Sequence, residues 1–330
     1  MAQILKATIP NLDLCKQALE NSKVIAVPTE TVYGLAGNAL DEEALKTIFL
    51  IKGRPLFNPL IIHTDCMKNA EKYGIFNALA RQLAKQFWPG PLTMILPKKE
   101  VVPNLVTANL DSVAIRCPQH PTFLQLLKRL SFPLAAPSAN PFGYVSPTSA
   151  EHVNCSLGEK LEFILDGADC EIGIESTIVD LRDTGQPKIL RLGPISKEAL
   201  EKLTHSAFEQ PLSASKNELR APGMLKSHYS PDTPLEITPL VRLNHLIASN
   251  NASELAFIFQ QRPKQSIYHN LPNVYWFSED GAELEVAHNF YQLLRSTDDL
   301  NYKKIYIEDI NETEGLKAAI KDRLSKAAFQ

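Results

Sequence analysis

The chain has 330 residues, a length that suggests two domains and supplies enough material for a hydrophobic core without disulfides or a structural metal. Hydrophobic residues make up 44% and charged residues 22%, which excludes a disordered chain. No apolar run approaches about 18 residues, so no membrane-spanning helix is expected. Basic and acidic side chains balance over residues 1–204, and the whole net charge of −3 falls in 205–330. The charge sum therefore carries no nucleic-acid footprint, although a local basic cleft remains compatible with it. The first ten residues lack the apolar run and cleavage site of a signal peptide, so the expected location is cytoplasmic. Cys15, Cys66, Cys117, Cys155 and Cys170 are odd in number and form no Cys-x-x-Cys pair, the pattern of reduced thiols. His63 and Cys66 have a ligand-like spacing, but no second pair completes a zinc site.

In chain order, 23–28 (KVIAVP) reads as a buried strand. Asp41 caps a helix with Glu42 and Glu43 in its first turn, Leu45, Ile48 and Phe49 at helical spacing, and a stop near Gly53. Strands follow at 60–63, 92–96, 112–116 and 134–136, with helices at 77–88 and 122–130 between them. A helix from Ser149 precedes strands at 163–165, 177–181 and 188–192. This alternation predicts an α/β domain over 1–205 and leaves its strand order open. Residues 206–234 have no sustained period and are rich in Ser, Pro and Ala. Such a length is excessive for an ordinary loop, so it is read as a linker or an active-site lid. Residues 235–330 resume alternation, with strands at 255–259, 274–277 and 304–307 and helices at 240–248, 282–296 and 314–327. They predict a smaller parallel α/β accessory domain.

Five clusters are rich in chemistry. Thr29, Glu30, Thr31 and Tyr33 crowd the end of the first strand, where ligands bind in open α/β sheets. Lys52 and Arg54 flank Gly53 at a helix C-terminus, which suits either the helix dipole or a phosphate clamp. Arg116 closes an apolar strand, so its charge needs water or an anion. The 136–141 segment, APSANP, makes a rigid polar turn. Glu175 to Asp180 precede Arg191, which ends another strand. Three arginines at element ends suggest a convergent anion site. No G-x-S-x-G elbow, Walker A loop, H-E-x-x-H or G-x-G-x-x-G occurs.

In order and spacing, PTETVYGL at 28–35, KGRPLFNPLIIH at 52–63, SVAIRCP at 112–118, APSAN at 136–140, ESTIVD at 175–180 and RLGPI at 191–195 resemble the YrdC-like domain over nearly all of residues 10–205. With PGMLKSHYSP at 222–231 and the small C-terminal unit, the chain is similar to the long two-domain form of the threonylcarbamoyl-AMP synthase family. The resemblance implies a twisted, open α/β catalytic domain with a positively charged concave face, and a Rossmann-like accessory domain. It implies condensation of L-threonine, bicarbonate or CO2, and ATP to threonylcarbamoyl-AMP and pyrophosphate. A partner transferase would then modify tRNA beside the anticodon, and tRNA itself is a candidate contact. Residue by residue, it implies that Thr31, His63, Arg116 and Ser176 contact threonine. Lys52, Arg54, Asn58, Ser112, Ser138, Asn140, Ser146 and Arg191 would contact ATP, with Tyr229 covering the nucleotide. No nucleophile is implied: Lys52, Arg54 and Arg191 would act by positioning and electrostatics. Mg2+ would arrive on the ATP phosphates with no protein ligand assigned, and no organic cofactor is expected.

Two other readings stand beside this one. A non-catalytic RNA-binding YrdC-like module is disfavoured by the neutral balance of 1–204. Carbamoyl transfer in hydrogenase maturation would expect acylphosphatase-like and zinc-finger segments, which this chain lacks. The sequence assigns no task to the C-terminal domain.

Overall fold

The structure is a computed structural model that describes residues 1–210, 223, 228–249, 252–312 and 314–329. The expected linker at 206–234 therefore lies outside the described residues at 211–222 and 224–227, including Pro222 and Met224. The first part of the chain runs β1 (Gln3–Lys6), α1 (Ile9–Glu20), β2 (Ile25–Val27), β3 (Gly34–Asn38), α2 (Glu42–Lys52), β4 (Ile61–His63), α3 (Met67–Ala70), α4 (Ala78–Phe87) and β5 (Leu92–Pro97). It continues with α5 (Asn104–Thr107), β6 (Ser112–Arg116), α6 (Pro121–Leu127), β7 (Leu134–Ala135), α7 (Ala150–Leu157), β8 (Phe163–Asp166), β9 (Thr177–Asp180), β10 (Lys188–Arg191) and α8 (Lys197–Thr204). The second part is β11 (Leu235–Thr238), α9 (Leu240–Ile247), β12 (Leu255–Gln261), β13 (Val274–Ser278), α10 (Glu283–Asp298), β14 (Lys304–Glu308) and α11 (Gly315–Ala327).

Local chemistry explains the element most important to the site. Asp41 accepts a hydrogen bond from the Glu43 N–H at 2.9 Å and caps α2. Gly53 ends the helix at φ +62°, a left-handed conformation that suits glycine. Lys52 therefore closes the helix and Arg54 starts the next segment.

The N-terminal sheet is mixed and ten-stranded, in the order β1-β8-β2-β3-β7-β4-β6-β5-β9-β10. Its pairing brings distant strand ends together. β4 and β6 run parallel, with His63 opposite Arg116 at their C-terminal ends. β5 runs antiparallel to β6, so its start, at Thr93, also faces Arg116. β9 runs parallel to β5, which puts Ser176, just before β9, at the same edge. β10 returns antiparallel to β9 and delivers Arg191 there, across a register shift. The 136–140 turn pairs back on the segment after β2: Leu35 N–H donates to Pro137 O, and Ala139 N–H to Tyr33 O.

The C-terminal sheet is parallel throughout, in the order β11-β14-β12-β13. Its core is not separate from the first domain. One buried apolar cluster joins Phe277, Phe290, Leu294, Ile305 and Ile320 to Val32, Val145, Ile174 and Tyr229.

Several elements were absent from the sequence reading. β1 pairs with β8, and α1 packs Leu12, Cys15 and Leu19 beneath the sheet. β3 is GLAGN, too glycine-rich to signal a strand, and is held by pairing with β2 and β7. β11 and α8 were likewise unmarked.

The domain contact gives a test. Gly173 has φ +84°, and a Cβ there would lie 2.4 Å from the Ala287 carbonyl oxygen of α10. Gly173→Ala should push α10 away and cost about 1–3 kcal/mol. Thermal unfolding and protease sensitivity of the C-terminal domain would register it, and a wild-type profile would show that the domains are not in this contact.

Candidate active site

The register described above lines a cavity with Thr31, Arg54, His63, Arg116, Ser138, Ser176, Arg191 and Tyr229. All of these were singled out from the sequence. Thr29, Glu175 and His228 also line it and were not assigned to it. Glu175 and His228 sat inside quoted motifs, beside Ser176 and Tyr229. The cavity encloses only about 50 Å³. That is well below the 300–1,000 Å³ typical of a ligand site.

One side of the cavity is built around Arg116. Its Nη2 lies 2.7 Å from Glu30 Oε1 as a buried ion pair off hydrogen-bond alignment. Its Nε donates to Gly90 O at 3.3 Å and its Nη1 to Thr31 Oγ1 at 2.9 Å. Thr31 in turn sits 2.8 Å from Thr29 Oγ1, and Thr29 donates to Val32 O at 2.6 Å. This relay fixes the hydroxyl directions and holds the Arg116 guanidinium in place. His63 beside them is held neutral: burial, then Arg116, push its pKa down to about 3. Its Nδ1 is buried without a hydrogen-bond partner.

The other side is cationic. Lys52 Nζ donates to Ser138 O at 2.5 Å and Asn140 O at 2.6 Å, so it shapes the 136–140 turn from behind. Arg54 donates from Nε to Asn58 O at 3.2 Å and from Nη2 to Pro59 O at 2.9 Å. Burial lowers the pKa of Arg54 to about 9 and takes Lys52 well below its ordinary value. Among the described residues, neither Lys52 nor Arg54 forms an ion pair with a carboxylate. Arg191 donates from Nε to Ser176 O and from Nη2 to Ser176 Oγ, both at 3.0 Å. Ser176 Oγ is also 2.8 Å from Thr93 Oγ1. Ser176 thus joins the Arg116 side to the Arg191 side.

Tyr229 and His228 line the cavity as well. Tyr229 takes φ +66°, a conformation uncommon outside glycine and asparagine. Its ring centre lies 4.1 Å from that of His228 and 5.7 Å from that of Tyr291. Burial, then Arg54 and Lys52, hold His228 neutral.

Four expected residues stand behind the wall. Besides Lys52, Asn58 buries Oδ1 without a partner, Asn140 donates to Pro141 O and Tyr144 O, and Ser146 donates to Glu175 Oε1 at 2.6 Å. The structure does not bring Ser112 to this cavity. Ser112 opens β6 and Arg116 ends it, roughly 13 Å apart at about 3.3 Å per residue. Among the described residues, no group of three or more His, Cys, Asp or Glu forms a metal site. No described helix is long and apolar enough to cross a membrane.

Residues 17–193 match the family described as "Telomere recombination" (Sua5_yciO_yrdC), and 195–329 match "Threonylcarbamoyl-AMP synthase, C-terminal domain". The threonylcarbamoyl-AMP synthase of Pyrococcus abyssi is 40% identical over 94% of this chain and 92% of its own length. The Bacillus subtilis enzyme of that name is 38% identical over 98% of this chain and 94% of its own. The crystal structure of P. abyssi Sua5 complexed with L-threonine superposes with a TM-score of 0.89 at 36% identity, covering 99% of this chain and 97% of that one. Fold, cavity and relatives define an ATP-using enzyme of the nucleotidyl-transfer type. The chain belongs to the threonylcarbamoyl-AMP synthase family, in its two-domain form.

Two measurements probe this geometry. Folding keeps His63 from taking up a proton that the unfolded chain binds near pH 6.5. The resulting stability is complete above about pH 6.5 and is lost as pH falls toward 3. His152, lowered to about 4, acts in the same direction. The thermal midpoint should drop between about pH 7 and 5, and His63→Gln should flatten that slope. An unchanged slope would mean that His63 charges freely in the folded protein. Separately, Glu30→Gln leaves the buried Arg116 without its carboxylate partner and should lower the thermal midpoint at neutral pH; an unchanged midpoint would mean that the pair does not hold Arg116.

Proposed function

We propose that this cavity is where the enzyme joins L-threonine, a one-carbon carboxyl unit from bicarbonate or CO2, and the AMP portion of ATP. Arg116 and Thr31 take the threonine carboxylate, with His63 and Ser176 beside them. Arg54 and Arg191 take phosphate oxygens, and Ser138 borders the nucleotide. Lys52, Asn58, Asn140 and Ser146 support that side from the second layer. The observation that carries the reading is Ser176: it holds Arg191 through two hydrogen bonds while facing the Arg116 side through Thr93. Carboxylate and phosphate sites that share one serine put a threonine-derived oxygen near the α-phosphorus.

The chemistry suits these side chains. The threonine amine adds to carbon dioxide and loses a proton, giving a carbamate. A carbamate oxygen then attacks the α-phosphorus, the bond to the β-phosphate oxygen breaks, and pyrophosphate leaves. Negative charge grows on phosphate oxygens, so alignment and fixed cations supply the catalysis. No protein nucleophile is required.

The donor set does not suit a protein-held metal. Glu175, the carboxylate lining the cavity, is engaged by Ser146, Tyr291 and Arg323. Mg2+ would be carried by ATP phosphates and water, a common mode for nucleotide-bound magnesium.

Residues 206–234 act as a lid in this reading, with Tyr229 over the nucleotide. The small cavity is then a closed state, and substrates enter when the lid lifts. Closure keeps water from the mixed anhydride product. The product passes to a transferase that modifies tRNA beside the anticodon, which makes the cytoplasm the working compartment.

The test is pyrophosphate release with threonine, bicarbonate and ATP, omitting each in turn. Release that persists without threonine or bicarbonate would refute the reading. Arg116→Ala should raise KM for threonine by roughly 30-fold or more, since losing one partner of a buried charge contact costs about 2–5 kcal/mol. Arg54→Ala should act on KM for ATP instead.

A further inference from the structure

The parallel sheet of the C-terminal domain opens a further cavity at its carboxyl edge. β11 and β14 lie side by side, with Thr238 opposite Glu308 at their ends. The chain leaves these two strands over opposite faces. α9, which follows β11, packs Leu243 and Ile247 with Phe257 and Phe259. α11, which follows β14, packs Ile320 and Leu324 with Ala256 and Ile258. Such a divergence opens a crevice beyond the strand ends, where ligands bind in open parallel sheets. A cavity of about 240 Å³ lies there, lined in part by Leu240, Asn244, Phe259, Pro263, Lys264 and Glu308.

Its polar groups are not matched within the protein. Glu308 is half-buried. Its Oε2 accepts from the Gln260 N–H at 2.9 Å, and among the described residues no cation pairs with it. Burial pushes its carboxyl above the ordinary carboxylate value, the Gln260 N–H works the other way, and Glu312 adds to the rise. A carboxylate held in this manner costs free energy unless a positive group meets it. Asn244, on α9, buries Oδ1 without a hydrogen-bond partner. Two acceptors in the cavity wall thus call for N–H donors. On the loop after β12, Arg262 is already paired with Glu279 at 3.1 Å. Lys264 on that loop pairs with no carboxylate among the described residues, and it lines the same cavity. Leu240, Phe259 and Pro263 supply an apolar wall. The volume lies below the 300–1,000 Å³ usual for larger ligands, which argues against a nucleotide and for a molecule of amino-acid size.

We propose that this cavity binds a small free α-amino acid, with its ammonium group on Glu308 and Asn244, its carboxylate on Lys264 and its side chain against Leu240, Phe259 and Pro263. A zwitterion is the class that answers a carboxylate, a buried acceptor and a lysine together. The site belongs to the accessory domain and shares no lining residue with the cavity that holds His63 and Arg116.

The test is calorimetry on the full-length protein with L-leucine, L-valine, L-isoleucine and L-methionine. At least one should bind saturably with a Kd below about 1 mM. The amine that lacks its carboxylate and the acid that lacks its amino group should each bind about tenfold more weakly. E308Q should weaken binding about tenfold, and K264A, which removes an exposed charge, about threefold. Binding by none of the four amino acids overturns the proposal. Equal binding of the amine or of the acid overturns it too, because a zwitterion is then not what the cavity selects. Unchanged binding in E308Q places the ligand elsewhere, the catalytic cavity included, and also overturns it. If E308Q fails to fold, N244A takes its place, and an unchanged Kd in N244A and K264A has the same consequence.

Discussion

Burying several cations around one small cavity is the constraint on which the rest of this structure depends. Lys52, Arg54, Arg116 and Arg191 are each no more than 6% exposed. A charge removed from water must be compensated or it destabilises the fold. The chain meets the demand in three ways. Lys52 and Arg54 take backbone carbonyls from the turns they help to form. Arg116 takes Glu30, and Arg191 takes Ser176. Carbonyls and hydroxyls orient a cation without cancelling its charge, so the cavity stays electropositive. Fixed cations of this kind favour negative charge in the space they surround.

The second domain enters through the same constraint. α10 presents Tyr291, Arg295 and Asp298 on one face, and each reaches the catalytic domain or the 232–233 segment. Tyr291 meets Glu175, Arg295 Nη1 donates to Ser156 Oγ at 2.9 Å, and Asp298 accepts from Tyr144 OH at 2.8 Å and Thr233 N at 2.8 Å. On α11, Lys326 Nζ donates to Gly223 O at 2.9 Å, and its carbonyl accepts from His228 N. Gly223 and His228 are thus anchored on α11 of the accessory domain, and His228 and Tyr229 line the cavity with Arg54, Arg116 and Arg191.

Much of the site was legible before any coordinate. His63, Arg116 and Arg191 end strands and Lys52 ends a helix, and local patterns mark such ends well. Ser112 was carried into the ATP site by resemblance, and the strand that places Arg116 at the cavity places Ser112 at its other end. Glu175 was missed because a carboxylate in an anion site reads as a contradiction until its partner is known. That partner, Arg323, lies 148 residues away on a helix whose pattern reads as an ordinary amphipathic one. Among the strands, β3 was missed because its glycines hide the signal that pairing supplies.

The sequence by itself determined the local pieces: the Asp41 cap and Gly53 stop that set Lys52 and Arg54, the apolar strands closed by charged residues, and the motif set that marks the family. Those features follow from rules acting over a few residues, namely capping, backbone freedom and hydrophobic period. Only the tertiary structure decided that β4, β5, β6, β9 and β10 meet with the alternating directions that gather His63, Arg116, Ser176 and Arg191 at one edge. It alone decided that Arg323 reaches Glu175. Strand order and domain docking depend on which distant surfaces bury one another best, and no local pattern encodes that choice.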